Sequence, residues 1–435
     1  MRAAVVGSGP SGMTAALLLA RRGHEVTIID RDPGPVPGVE WDRAGVMQLH
    51  LPHGFRPQVR HVLGERLPDV YDAMLAAGGE LLVPEGFPDV AAFLQIRRSL
   101  FDRVFWEIVS AEPGVTRVTG HADEVVVRDG RATGVLVDGR LVEADVVLDA
   151  GGRMGRTSAA HRDEGSRVSC RMAYASRSYR LLPGADVGPV NGGPGYINEH
   201  DGFLSFVFRH DAGTFKVLIV RRSDDDELAV LRENRVFEAA CRVLPGIAEW
   251  TDPGRSEPTD DVRAGAGLSN SYRGQATEVT GLLAIGDAFA ITNPQGARGV
   301  VLGMQSAAFV ADLVDSAPRD TWAEALDAWG LEQLHPWVED HVAWDDSLLR
   351  RWAGLPIEAD GSIGLDVLGA AALERPHFMA TLGPFFGMFV GPDALEPLRD
   401  EVREMVRAGW QPPSPGGVTR DDLVAVVRDA ALVLA

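Results

Sequence analysis

A chain of 435 residues, 45% hydrophobic and 24% charged, has the composition of a globular protein, and at roughly 100 to 200 residues per domain it has room for two to four. Its 42 Lys and Arg face 62 Asp and Glu, and the formal net charge of −20 repels phosphate backbones and anionic membranes, which argues against nucleic-acid partners and stable membrane insertion. Cys170 and Cys241 are too few and too far apart for a disulfide framework, and the 11 histidines show no HxxxH or HExxH spacing, so no metal site is expected.

The apolar start "AAVVG", residues 3 to 7, reads as a strand rather than part of a signal peptide, and no run of 18 apolar residues occurs, so a cytoplasmic location is expected. Residues 13 to 22 form a helix that ends at Gly23, and "EVTIID", 25 to 30, is the next strand. "DPGPVPG" is a loop; "PDVYDAMLAAGG", 68 to 79, is a helix that starts at proline and stops at glycine. "SLFDRVFWEIVSA" after Arg97 and Arg98 is another helix. From 123 to 152, β-branched runs divided by Asp129-Gly130 and Asp138-Gly139 predict an antiparallel meander that feeds a strand ending at Asp149.

Three segments between 168 and 222 predict a second, mixed sheet, and the acidic run Asp224 to Glu227 reads as a solvated face opening a helix. A buried strand returns near 281 to 290, followed by the helix "ARGVVLGMQSAAFVADLVDS". Beyond about 320 the chain reads as helical, with a packed tryptophan stripe at 322, 329, 337, 344 and 352, and "WQPPSPGG" breaks it before a last helix. The fold class is therefore α/β: a Rossmann-like domain with an inserted antiparallel meander, a mixed-sheet substrate domain and a helical C-terminal region. The expected division is 1–165 with 270–315, then 166–269, then 316–435, with 45–96 contributing in part to the substrate region.

"GSGPSG" sets Gly7, Gly9 and Gly12 in GxGxxG spacing between strand and helix. Gly7 allows the tight turn, Gly9 lets a pyrophosphate approach the backbone and Gly12 lets helix and strand pack closely. Asp30 ends the second strand, where an adenosine ribose presents its hydroxyls. Far along the chain, "LLAIGDAFAITNPQGARGV", 282 to 300, runs a strand into Asp287 and then into a turn holding Pro294, Gly296 and Gly299.

With these motifs the chain resembles the flavoprotein monooxygenases of the para-hydroxybenzoate hydroxylase type, a superfamily that also holds flavin-dependent halogenases, squalene-type epoxidases and geranylgeranyl reductases. The resemblance implies FAD, held by Gly7, Gly9, Pro10, Ser11, Gly12, Asp30, Arg31 and Val125 early in the chain and by Gly286, Asp287, Gly296, Ala297 and Gly299 late. It implies that Asp287 accepts hydrogen bonds from the ribityl chain and that the turn from Pro294 faces the flavin pyrimidine edge. "WDRAGV", 41 to 46, looks like the segment beside the isoalloxazine, with Arg43 there, and either Arg97 or Arg98 is the arginine that approaches FAD. The middle motif departs from the family pattern, with Gly151 where an aspartate is common, which leaves open NADPH or a partner flavin reductase as the source of electrons.

The activity implied is oxygen transfer from a flavin C4a-hydroperoxide, formed with dioxygen, to a small hydrophobic, aromatic or alkene substrate of secondary metabolism. Arg43, His50, His53 and Pro294 are the candidate catalytic residues, and Tyr174, Tyr179, Tyr196, Phe203, Phe206 and Phe208 are candidate walls, at least half of them core. The alternatives are a halogenase, a geranylgeranyl-reductase-like enzyme and a noncatalytic FAD-binding module. Against halogenation, WxWxIP does not occur, and the lysine that the resemblance would require beside a hypohalous-acid tunnel has no candidate before Lys216, the chain's only lysine, which lies in the expected substrate sheet.

Overall fold

The computed structural model describes residues 1–432 apart from 40, 44, 84–88, 194, 276 and 277, so the middle of the 41–46 segment, at residue 44, lies outside the described residues. The chain opens with strand β1 (Arg2–Val6), helix α1 (Pro10–Ala20) and strand β2 (Glu25–Asp30). Ten of the eleven residues of α1 are buried, which suits a helix that is apolar on every side. Helix α2 (Arg98–Ala111) leads to β3 (Val115–Thr119), and the meander follows as β4 (Ala122–Arg128), β5 (Arg131–Val137) and β6 (Arg140–Glu143). Both Asp-Gly turns have positive φ at both residues, the geometry that matches strand twist in a two-residue hairpin. Strand β7 (Val146–Asp149) then enters the first sheet.

The second sheet is built from β8 (Met172–Leu181), β9 (Gly195–His200), β10 (Phe203–Arg209) and β11 (Thr214–Arg222). The chain returns through β12 (Leu282–Ala284) and helix α3 (Gly299–Ser316), and ends in a helical region containing α4 (His335–Trp352) and α5 (Arg420–Leu432).

The first sheet is parallel in the order β12-β7-β1-β2-β3. Its register aligns Val6 with Asp149 and Asp149 with Ala284. The loops after β1, β7 and β12 therefore leave the sheet at one carboxyl edge, the side on which open parallel sheets bind ligands. The meander covers one face, where Val125 packs in a cluster with Ala4, Val6 and Ile29.

The second sheet corrects two expectations. Its described pairs are all antiparallel rather than mixed, because β9, β10 and β11 are joined by hairpins too short for a crossover. The β9–β10 hairpin turns at Asp201-Gly202, with His200 opposite Phe203. The acidic run is not merely a solvated face: Asp225, 7% exposed, receives Arg420 at 2.7 Å, and Glu227 receives Arg420 and Arg428, so the run docks α5. It opens only a short 3-10 turn, Glu227–Arg232.

Both faces of this sheet are covered, and strand alternation decides what each meets. Tyr179, Phe203, Val207, Phe215, Val217 and Ile219 pack with the helix Asn234–Cys241 and with α5. Tyr174, Phe206, Phe208 and Leu218 pack on the other side with Leu348, Leu349 and Trp352 of α4. A separate core joins α1 and α3 to the C-terminal helices as far as Met405, with Trp322 and Trp337 inside it. Helix α3 is long and apolar enough to cross a membrane, but it is a core helix packed against α1.

Candidate functional site

The three glycines of the first loop have distinct surroundings. Gly7 lies at φ +105°, where a Cβ would stand 2.3 Å from the Ala150 carbonyl oxygen, and a Cβ on Gly12 would stand 1.9 Å from that of Gly7. A Cβ on Gly9 would meet nothing within 4 Å, so the start of α1 has an open side. The late motif closes on this loop: a Cβ on Gly286 would lie 2.5 Å from the Ser11 hydroxyl oxygen, and one on Gly303 2.2 Å from it. Two stretches almost 280 residues apart thus meet in van der Waals contact.

At the far end of the loop, Asp30 Oδ2 accepts the Ser8 backbone N–H and hydroxyl, each at 2.7 Å, while Oδ1 accepts the Asp32 N–H at 2.9 Å. Arg43, 2% exposed, donates to the Ser8 hydroxyl at 2.7 Å and to its carbonyl at 3.1 Å, and lies 3.2 Å from both Asp30 and Asp102. Arg43 is therefore found at the Asp30 end of the site. Arg31 lies over Gly45 and is exposed.

Asp287 sits in a single 3-10 turn, Gly286–Ala288, with Gly286 at φ +63°. Among the described residues its carboxylate takes no hydrogen bond; burial pushes its pKa up, and the nearby cations Arg98 and Arg153 oppose that. The structure separates the two arginines that spacing left equivalent. Arg97 is bound through its backbone N–H and its guanidinium to Asp211 in the turn between β10 and β11, whereas Arg98 pairs with the buried Asp102 at 2.5 Å and lies near Asp287. Asp149 is spent on its own loop, accepting Gly151 N–H and Ser158.

The turn at Pro294–Gly296 is capped by the Asn293 side chain and followed by Ala297 at φ +52°. Behind it stands a polar support that sequence reasoning missed. Arg56 grips the Gly296 carbonyl with two donors, at 2.9 and 2.6 Å, and the Phe386 carbonyl with a third at 2.8 Å. Its pKa is lowered to about 9 by burial and by Arg298. Asn293 donates to Asp345 at 2.8 Å, Asn270 donates to the same carboxylate at 2.8 Å, and Tyr174 of β8 donates to Asn293. Burial pushes Asp345 up to about 6 against the pull of those amides.

The sheet also meets residues 47–56 along a seam. His210 Nε2 lies 3.1 Å from the His53 carbonyl oxygen, and Lys216 Nζ donates to the Leu49 carbonyl at 3.4 Å. His53 packs against Phe55 with tilted rings whose centroids are 4.7 Å apart, and it is held neutral, its pKa well below the usual value through burial first and then Arg98, His210 and Lys216. His50 stands apart, paired with Asp42 at 2.8 Å in an exposed position. Of the six candidate walls, Tyr174, Phe206 and Phe208 share the sheet face of Lys216 and pack there against α4, while Tyr179, Tyr196 and Phe203 pack on the opposite face.

The NAD(P)-binding Rossmann-like domain profile matches residues 5–65. The structure resembles that of PqsL, a probable FAD-dependent monooxygenase from Pseudomonas aeruginosa, with a TM-score of 0.61 at 17% identity over 81% of this chain and 98% of that one. The chain has the fold of FAD-dependent monooxygenases and halogenases. The flavin-dependent brominase Bmp2 gives a TM-score of 0.57 at 17% identity, covering 100% of this chain and 99% of the other. In sequence, Protein FixC of Salmonella typhi is 33% identical over 161 residues, 34% of this chain. The match spans 36%, about a third, of the length of that relative.

Proposed function

We propose that the chain is an oxidoreductase that binds one FAD and transfers oxygen from dioxygen to a small aromatic or alkene substrate. The observation that carries the reading is the contact of Ser11 with Gly286 and Gly303, which puts the open side of Gly9 and the unbonded Asp287 at one edge of one sheet. FAD, when bound, supplies the redox and oxygen chemistry. The N–H groups opening α1 hold its diphosphate, Asp30 Oδ1 keeps a lone pair for a ribose hydroxyl, and Asp287 accepts the ribityl hydroxyls. The turn at 294–299 and the positive end of α3 stabilise negative charge at the ring edge. Arg43 organises Asp30 and Asp102, and Arg98 balances Asp287.

Tyr174, Phe206 and Phe208 supply an apolar wall that excludes water from the reacting face. A small aromatic substrate is supported by the crystal structure of PqsL in complex with 2-aminobenzoylacetate. Purified protein is expected to bind FAD one to one, to be reduced anaerobically by NADPH or by a partner reductase, and to place label from isotopic dioxygen in its product. Protein that cannot be reconstituted with FAD, or a product without label, overturns the proposal.

A second reading, halogenation, is favoured by the position of Lys216 at the seam and by the likeness to Bmp2. Turnover that requires bromide and yields a brominated product selects it over oxygen transfer.

A further inference from the structure

Two backbone carbonyls of the late motif are held by guanidiniums. Arg56, the residue before the helix Pro57–Arg66, places Nε and Nη2 on the Gly296 carbonyl oxygen and Nη1 on that of Phe386, in the helix Met379–Gly387. Arg162 donates in the same way to the carbonyls of Ala288 and Gly274. A carbonyl oxygen is the negative end of its peptide dipole, so each clasp covers negative charge at the motif and brings a positive charge to it.

The two cations differ in what stands against them. Burial lowers the pKa of Arg162 to about 10 against the opposing pull of Asp149. Among the described residues no carboxylate acts on Arg56: burial, and then Arg298, push its pKa down to about 9, which leaves it charged at pH 7.5. Arg298 itself is answered by Asp340 at 2.6 Å, and Asp340 also holds Arg399, which pairs with Glu396, so two cations and two carboxylates cancel there. Two further groups complete the backing of the turn. His341, whose Cε1 would stand 2.6 Å from a Cβ on Gly296, is kept neutral by burial, and Asp345 reaches the turn through the Asn293 amide. Arg56 is therefore the cation that touches the turn without a counter-charge. A glutamine or asparagine amide could hold the same carbonyls, and a charge taken out of water without a partner is costly, so the clasp alone does not account for an arginine here.

We propose that Arg56 is a positioning residue that sets the reduction potential of the bound flavin, its charge favouring the reduced ring over the oxidised one from behind the Gly296 peptide. Uptake of two electrons and one proton leaves the neutral ring with one negative charge, so a fixed cation acts on the reduced form and hardly on the oxidised one. The proposal rests on the flavin reading for the place of the ring at this turn, and it goes further by naming the cation that eases electron uptake from NADPH or a partner reductase alike.

The test is the midpoint potential of the FAD-loaded protein at pH 7.5, read against a reference dye during slow anaerobic reduction. Arg56→Met is expected to lower the preference for reduced over oxidised FAD about tenfold, the scale of one unit charge acting inside a protein, which is a fall of about 30 mV for a two-electron couple. Arg56→Lys keeps the charge and loses the fork, so it should recover most of that fall even if it melts as early as Arg56→Met. Asp345→Asn removes a negative charge behind the same turn, since Asp345 titrates near 6, and should move the potential the other way. An unmoved potential in Arg56→Met, or an Arg56→Lys potential that falls as far as that of Arg56→Met, would overturn the proposal; where Arg56→Met does not fold, an unmoved potential in Asp345→Asn does so. Protein that takes up no FAD defeats the parent reading and this proposal with it, whereas bound FAD with an unmoved potential defeats this proposal alone.

Discussion

The carboxyl edge of the parallel sheet and the seam of the antiparallel sheet are specified by different parts of the residue. At the edge the backbone is the working surface: Gly7, Gly12, Gly286 and Gly303 are held so close to neighbouring atoms that a single added carbon has no room. At the seam the side chains are the surface, and the same strands turn Phe206 toward one neighbour and Val207 toward another. The first region therefore tolerates almost no substitution, and the second tolerates substitution wherever the volume and polarity of one face are kept.

The sharpest way to break this comparison is Gly12→Ala. Its Cβ would overlap a backbone oxygen, so the variant should lose several kcal/mol of stability, about 2 or more, and all FAD binding. Thermal unfolding and flavin content measure both, and a variant with wild-type values would show that the edge is not close-packed.

Asp287→Ala should separate binding from folding. Loss of its acceptor oxygens is expected to weaken FAD about ten- to a hundredfold. The apoprotein should be at least as stable at pH 7.5, because a carboxylate whose pKa is raised by burial costs stability once it is ionised. Fluorimetric FAD titration and apoprotein melting give the two numbers.

The support behind the turn makes a pH prediction. Asp345 titrates near 6 when folded against an ordinary 3.8 unfolded, so its contribution is fully present below about pH 4 and is lost as pH rises through 6. The difference in unfolding free energy between wild type and Asp345→Asn should therefore change by up to roughly 3 kcal/mol between pH 4 and 7.5. Curves that stay parallel would mean that Asp345 is charged throughout. The smallest effect is expected for Arg420→Ala, which frees α5 from Asp225 and Glu227 at a cost of about 1 kcal/mol, visible as faster amide exchange in α5 with FAD affinity unchanged.

The edge was legible in the sequence because backbone geometry selects glycine, and glycines spaced between strand and helix announce the turn. The meander was legible for the same reason, through Asp129-Gly130 and Asp138-Gly139. Asp201-Gly202 carried the same signal inside one predicted strand segment, and reading it would have given the antiparallel order of the second sheet. Spacing left Arg97 and Arg98 equivalent because adjacent residues at a helix start point in different directions that only packing resolves. Asp345, Asn270 and Arg56 gave no signal: they reach the late turn from three remote segments, and only the assembled core brings them together.

The two-residue loop at Asp201-Gly202 locks His200 against Phe203, and with it the phase of every side chain along β10. Inserting one residue in that strand would exchange its inside and outside, sending Phe206 and Phe208 toward the α5 side and bringing Ser205 and Val207 round to replace them. Length changes meant to remodel this enzyme's specificity thus belong in the long connection between β8 and β9, where an extra residue lengthens a loop without turning the strand over.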